Sequence, residues 1–217
     1  MKGRTFRSAT LVAALLGLAI VGTAAAAVIT GTKGDDALRG TRGADAISAY
    51  QGNDTIDAHS GADLVRAGAG NDIVWGGPGS DLIYGGGGDD QLNGGENADA
   101  IWGGSGSDTL DGGSGPDALH GGSGNDTEYG GDGRDSIWGG GGTDVEYGGA
   151  GNDALHALAP DGDHDTLDCG PGPDVAYVLR SEFADTTIRG CERVVVADAP
   201  SAADAANDGD NDPQADS

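Results

Sequence analysis

The sequence predicts an all-β repeat protein, elongated and held by something other than a thick apolar interior. Three observations carry that reading. A nine-residue pattern recurs in phase fourteen times over residues 31–156, and self-similarity at a short fixed period marks a solenoid or array. Glycine supplies 44 of 217 residues, about three times its usual share. Leu, Ile, Val and Phe make up only about 17% of the chain, against a formal charge of −25, a balance that signals disorder unless another agent intervenes. That agent should be cationic. A nucleic-acid partner is excluded by sign, since phosphate binding calls for a basic face. Collagen is excluded because the glycines do not recur every three residues and Pro is only 7.

Residues 1–27 read as a cleaved secretory signal peptide. Lys2, Arg4 and Arg7 precede an apolar run over 9–21, and residues 22–27 offer a small-residue cleavage site near Ala26 or Ala27. The apolar run is short for a span of ~20 residues, so the mature chain is expected to have no membrane span and to be secreted. Removing the leader takes three positive charges and no negative ones, which deepens the charge to −28.

The repeats run without a gap; GGPGSDLIY (76–84) and GGSGSDTLD (103–111) are two of them. Position six is Asp in all fourteen: Asp36, Asp45, Asp54, Asp63, Asp72, Asp81, Asp90, Asp99, Asp108, Asp117, Asp126, Asp135, Asp144 and Asp153. Position four is Gly in thirteen, with Asn97 the exception, and position eight is Leu, Ile or Val in twelve, with Glu128 and Glu146 the exceptions. The units resemble the G-G-x-G-x-D-x-U-x nonapeptide of the RTX (repeats-in-toxin, hemolysin-type) calcium-binding proteins, over residues 31–156. That resemblance implies a right-handed parallel β-roll: a two-sheet solenoid of 18 residues per coil, with six-residue turns, strands of about three residues, and calcium between stacked turns.

The residue types agree with that implication. Glycines at positions one, two and four suit turns that need φ > 0 and leave main-chain carbonyls free to meet an ion. Asp supplies a hard anionic oxygen, and calcium takes six to eight oxygens of these two kinds. Magnesium would resist losing its water. Zinc would want Cys or His, and the repeats hold no Cys and three His. If each ion bridges units two apart, fourteen units take up to about twelve Ca²⁺, which brings the mature chain near neutrality. Calcium is thus the expected cofactor, and folding is expected to depend on it.

Past His156 the phase slips by three residues, and Asp165, Leu167 and Asp174 resume it. Residues 157–197 are expected to be a β cap over the last coil. The only two cysteines, Cys169 and Cys191, fall within it, and in a secreted chain they imply one disulfide. Residues 198–217, with six Asp and no basic residue, should be a disordered acidic tail.

Two departures from the repeat stand out. Glu128 and Glu146 hold inward positions one coil apart. A local flip that turns Thr127 and Tyr129, and Val145 and Tyr147, inward and sends both Glu to solvent, or loose packing around them, is expected; the alternatives are an extra ion site and a paired-carboxylate hydrolytic site. Position nine on alternate units reads Tyr84, Trp102, His120, Trp138, His156, which stacks rings along one outer face. The favoured role is stiffening of the sheet; the alternative is a surface that binds cell-surface polysaccharide or a protein. H-E-x-x-H and G-x-S-x-G are both absent from the sequence. The reading is therefore a secreted, non-catalytic calcium-binding protein acting as an extracellular structural or adhesion module.

Overall fold

Parallel pairing at a fixed 18-residue offset follows directly from the repeat. In the computed structural model, which describes residues 26–198 and the strand Thr10–Val12, the chain winds into two parallel sheets. The longer sheet runs Thr10–Val12, Val28–Thr30, Ala46–Gln51, Leu64–Ala69, Leu82–Gly87, Ala100–Ser105, Ala118–Ser123, Ser136–Gly141, Ala154–Ala157, Val175–Leu179, Arg193–Ala197. The shorter runs Ala37–Arg39, Thr55–Asp57, Ile73–Pro78, Gln91–Glu96, Thr109–Ser114, Thr127–Gly133, Val145–Gly151, Thr166–Asp168, Thr187–Arg189. The described residues include no helix, and hence none that could cross a membrane.

Most strands are longer than expected. Positions seven to nine of one unit and one to three of the next form a single six-residue strand, and only positions four to six turn. The glycines therefore stay within the parallel ladder, with Gly104 opposite Gly86 and Gly122. Side chains alternate across the pleat. Position eight faces inward, giving the columns Ile47, Val65, Ile83, Ile101, Leu119, Ile137, Leu155 and Leu38, Ile56, Val74, Leu92, Leu110, all buried. Position one also faces inward but is Gly or Ala in every unit. The interior is thus one large side chain deep, too little by itself to offset the ordering of nine residues per half-coil.

Residues 157–197 end the roll by extending it. Thr166–Asp168 pairs with Val145–Gly151 at a 21-residue offset, and Arg193–Ala197 pairs with Val175–Leu179 at 18. The nine strands of the shorter sheet give about nine coils instead of the seven of the repeats alone, or roughly 40 Å of stacked strands. The expected disulfide is formed, Cys169 to Cys191 across 22 residues, and Cys169 is fully buried in the core. Apart from Thr10–Val12, which pairs with Val28–Thr30, and residues 26–27, the expected signal peptide lies outside the described residues. So does the expected tail from residue 199.

Candidate metal centre

Each position-six aspartate closes the turn that precedes a strand, and from Asp54 onward its carboxylate makes the same contact. Oδ1 accepts the backbone N–H of the aspartate one coil back: Asp72 donates to Asp90 at 2.7 Å, Asp90 to Asp108 at 2.8 Å, and Asp99 to Asp117 at 2.8 Å. Asp45 Oδ1 instead accepts the Ala27 N–H. All fourteen predicted aspartates are brought into two columns, one on each edge of the roll. Asp36, Asp54, Asp72, Asp90, Asp108, Asp126 and Asp144 form one, and Asp45, Asp63, Asp81, Asp99, Asp117, Asp135 and Asp153 the other.

The columns run on past the repeats. Asp165 accepts from Asp144 and Asp174 from Asp153, and Glu192 Oε2 takes the last rung from Asp174 at 2.7 Å. The resumed phase marked Asp165 and Asp174 as position six without making them site residues. Glu192 carried no sequence signal, because it stands outside the repeat.

The second oxygen decides what the columns can hold. Oδ2 is buried without a hydrogen-bond partner in all twelve aspartates from Asp54 to Asp153, and in Asp174. The first two turns differ. Thr32 donates its N–H (2.6 Å) and its hydroxyl (3.0 Å) to Asp36 Oδ2, and Thr41 donates its N–H to Asp45 Oδ2 at 2.6 Å. These two carboxylates are satisfied within their own turns.

From the sixth unit onward each orphaned oxygen abuts a position-one glycine, and at seven of those nine glycines a main-chain carbonyl comes as close. A Cβ on Gly76 would stand 2.5 Å from Asp81 Oδ2 and 2.6 Å from Gly94 O; one on Gly112 would stand 2.6 Å from Asp117 Oδ2 and 2.7 Å from Gly130 O. Only glycine is tolerated there, because a carboxylate and a carbonyl crowd the position a Cβ would take. Among the described residues no three Asp, Glu, His or Cys side chains gather for one ion. A hard cation here would complete its shell with carbonyls, as calcium does.

Burial makes these carboxylates poor anions on their own. It pushes Asp90 and Asp126 up to about 8, Asp99, Asp108, Asp135 and Asp144 to about 7, and Asp63 and Asp72 to about 6. In each the N–H from the neighbouring coil pulls the other way without cancelling the desolvation. A divalent cation beside Oδ2 reverses this balance.

The expected flip of Glu128 and Glu146 does not occur. Both are fully buried at position eight, while Tyr129 and Tyr147 stay outside with rings stacked at 5.0 Å. The parallel register holds Glu128 beside Glu146 between Leu110 and Leu167, and a flip would have broken the alternation that its neighbours enforce. Glu146 Oε1 accepts the Gly139 N–H at 3.1 Å, whereas both oxygens of Glu128 lack a partner. Burial first, then Glu146 beside it, holds the Glu128 carboxyl well above the usual range.

The predicted ring column is present. Tyr84, Trp102, His120, Trp138 and His156 stack at 4.4–5.0 Å, within 20° of parallel. Tyr177 joins as a sixth ring, 4.6 Å from His156, after the phase slip that hid it. His120, between two indoles, is only 5% exposed, and this burial lowers its imidazole to about 4. The ring faces are turned to one another, so only edges meet solvent.

The RTX calcium-binding nonapeptide repeat (4 copies) family model matches at 30–65, 58–92, 66–101, 93–128 and 120–155, which together cover residues 30–155. No curated protein matches this chain. With fourteen aspartates stacked in two columns and more than half of its length matched, the chain belongs to the RTX calcium-binding nonapeptide repeat family.

Proposed function

We propose that this is a secreted, non-catalytic calcium-binding protein whose roll folds as ions enter the two aspartate columns, and that it serves as an extracellular structural or adhesion module. The row of buried, unpartnered Oδ2 atoms carries the reading. Asp54 to Asp153 would hold the ions together with carbonyls of the position-one residues, glycine or alanine. Bound calcium supplies the positive charge that the columns lack. Asp36 and Asp45, satisfied by Thr32 and Thr41, would close the first turns without an ion, so the repeats would take fewer than the about twelve calcium ions that bridging of all fourteen units allows. The disulfide suits an oxidising compartment.

A second reading, a calcium-dependent module binding polysaccharide or protein through Tyr84, Trp102, His120, Trp138 and His156, draws less support. Stacking hides the ring faces such a ligand would use. Far-UV circular dichroism tests the first reading: strand signal should appear on adding calcium and vanish with chelator. An identical spectrum in both would refute it.

A further inference from the structure

Position eight of the shorter sheet would read Leu92, Leu110, Leu, Leu, Leu167 if the column were uniform; it reads Glu at 128 and 146 instead. Two carboxylates in a leucine column must be held by something. Glu128 is 0% exposed and neither of its oxygens has a partner. Its side chain crosses the interior to the opposite sheet. There the three atoms nearest the space above Gly121 are Glu128 Oε1, Gly139 O and Asp126 Oδ2, the last an orphaned column oxygen. At the equivalent glycine one coil earlier, Gly103, the three nearest atoms are Asp108 Oδ2, Gly121 O and Asp108 Cβ, with no second carboxylate among them. Glu146, one coil on, grips the Gly139 N–H at 3.1 Å and leaves Oε2 unpartnered.

We propose that Glu128 is an additional calcium ligand, reaching from the core to join Asp126 and the Gly139 carbonyl in one reinforced rung, with Glu146 positioning the Gly139 peptide and adding negative charge behind it. The proposal rests on the columns being calcium sites and deepens that reading: the sites are unequal. A rung with an added carboxylate has a higher ligand charge count, which is what tunes calcium affinity. This rung fills first, at calcium levels that leave its neighbours empty. It marks residues 121–146 as the place where ion-driven folding starts.

The test is calcium titration of the full mature chain by competition with a chromophoric chelator, comparing wild type with E128L/E146L and E128Q/E146Q. The leucine pair restores the residue found at 92, 110 and 167, so the roll is kept. Wild type should show one ion bound at least roughly tenfold more tightly than the rest, and both variants should lose that class alone. Wild-type titration in both variants would overturn the proposal while leaving the columns intact. A wild type that takes up no calcium would instead overturn the proposed function.

Discussion

At the scale of the residue, the two oxygens of a column aspartate differ. Oδ1 ties one coil to the next, and from Asp54 to Asp153 Oδ2 is buried without a partner. Asp108→Asn keeps an acceptor for the Asp90 N–H and removes the charge, so the calcium concentration needed for folding should rise several-fold in a dichroism titration. Asp108→Ala should do the same and also lose about 1–3 kcal/mol, because a buried N–H is left unpaired. Glycine is as constrained as aspartate. Gly104 sits at φ +111°, and a Cβ there would strike Gly86 O. Asn97 takes the only non-glycine position four, at φ +82°, a conformation asparagine tolerates. The ring column makes its own claim. Trp138→Ala removes two stacked contacts and should cost about 1–3 kcal/mol in urea unfolding at saturating calcium. Trp75→Ala, at an exposed site on the other sheet, should change stability by less than about 0.5 kcal/mol.

At the scale of the element, the terminal coils are where the repeat logic weakens and other devices take over. In the N-terminal turns Thr32 and Thr41 give Asp36 and Asp45 the Oδ2 hydrogen bonds that the later aspartates lack. The C-terminal coils add Glu192 as a last rung and the Cys169–Cys191 disulfide. Closing a 22-residue separation should contribute about 3 kcal/mol. Reduction should therefore lower the urea midpoint in calcium while leaving the central strands protected in hydrogen exchange. The regular part of this architecture was legible beforehand because period, not propensity, specified it: one register error would displace every aspartate at once. Three features escaped. Strand length was underestimated because glycine pairs carry no strand preference, yet parallel neighbours hold them extended. Tyr177 was masked by the three-residue slip. Glu128 and Glu146 were expected to turn outward from the cost of buried charge, but the pleat of the adjoining leucines prevails.

At the scale of the whole molecule, charge governs. In metal-free protein the columns' carboxylates ionise less readily folded than unfolded, with folded values of about 6 to 8 for Asp63, Asp72, Asp90, Asp99, Asp108, Asp126, Asp135 and Asp144. The folded state binds more protons across that window, so its stability is fully present below about pH 4 and is lost as pH rises toward 8. Chelator-treated protein should thus be more ordered at pH 5 than at pH 8, and calcium should remove the difference. The central claim, that divalent ions take the place of an apolar interior, is tested most directly by small-angle X-ray scattering of residues 28–217 at neutral pH. With saturating calcium the profile should be that of a rod roughly 40 Å long, and after exhaustive chelation that of an expanded coil. The same compact rod in both conditions would contradict the account.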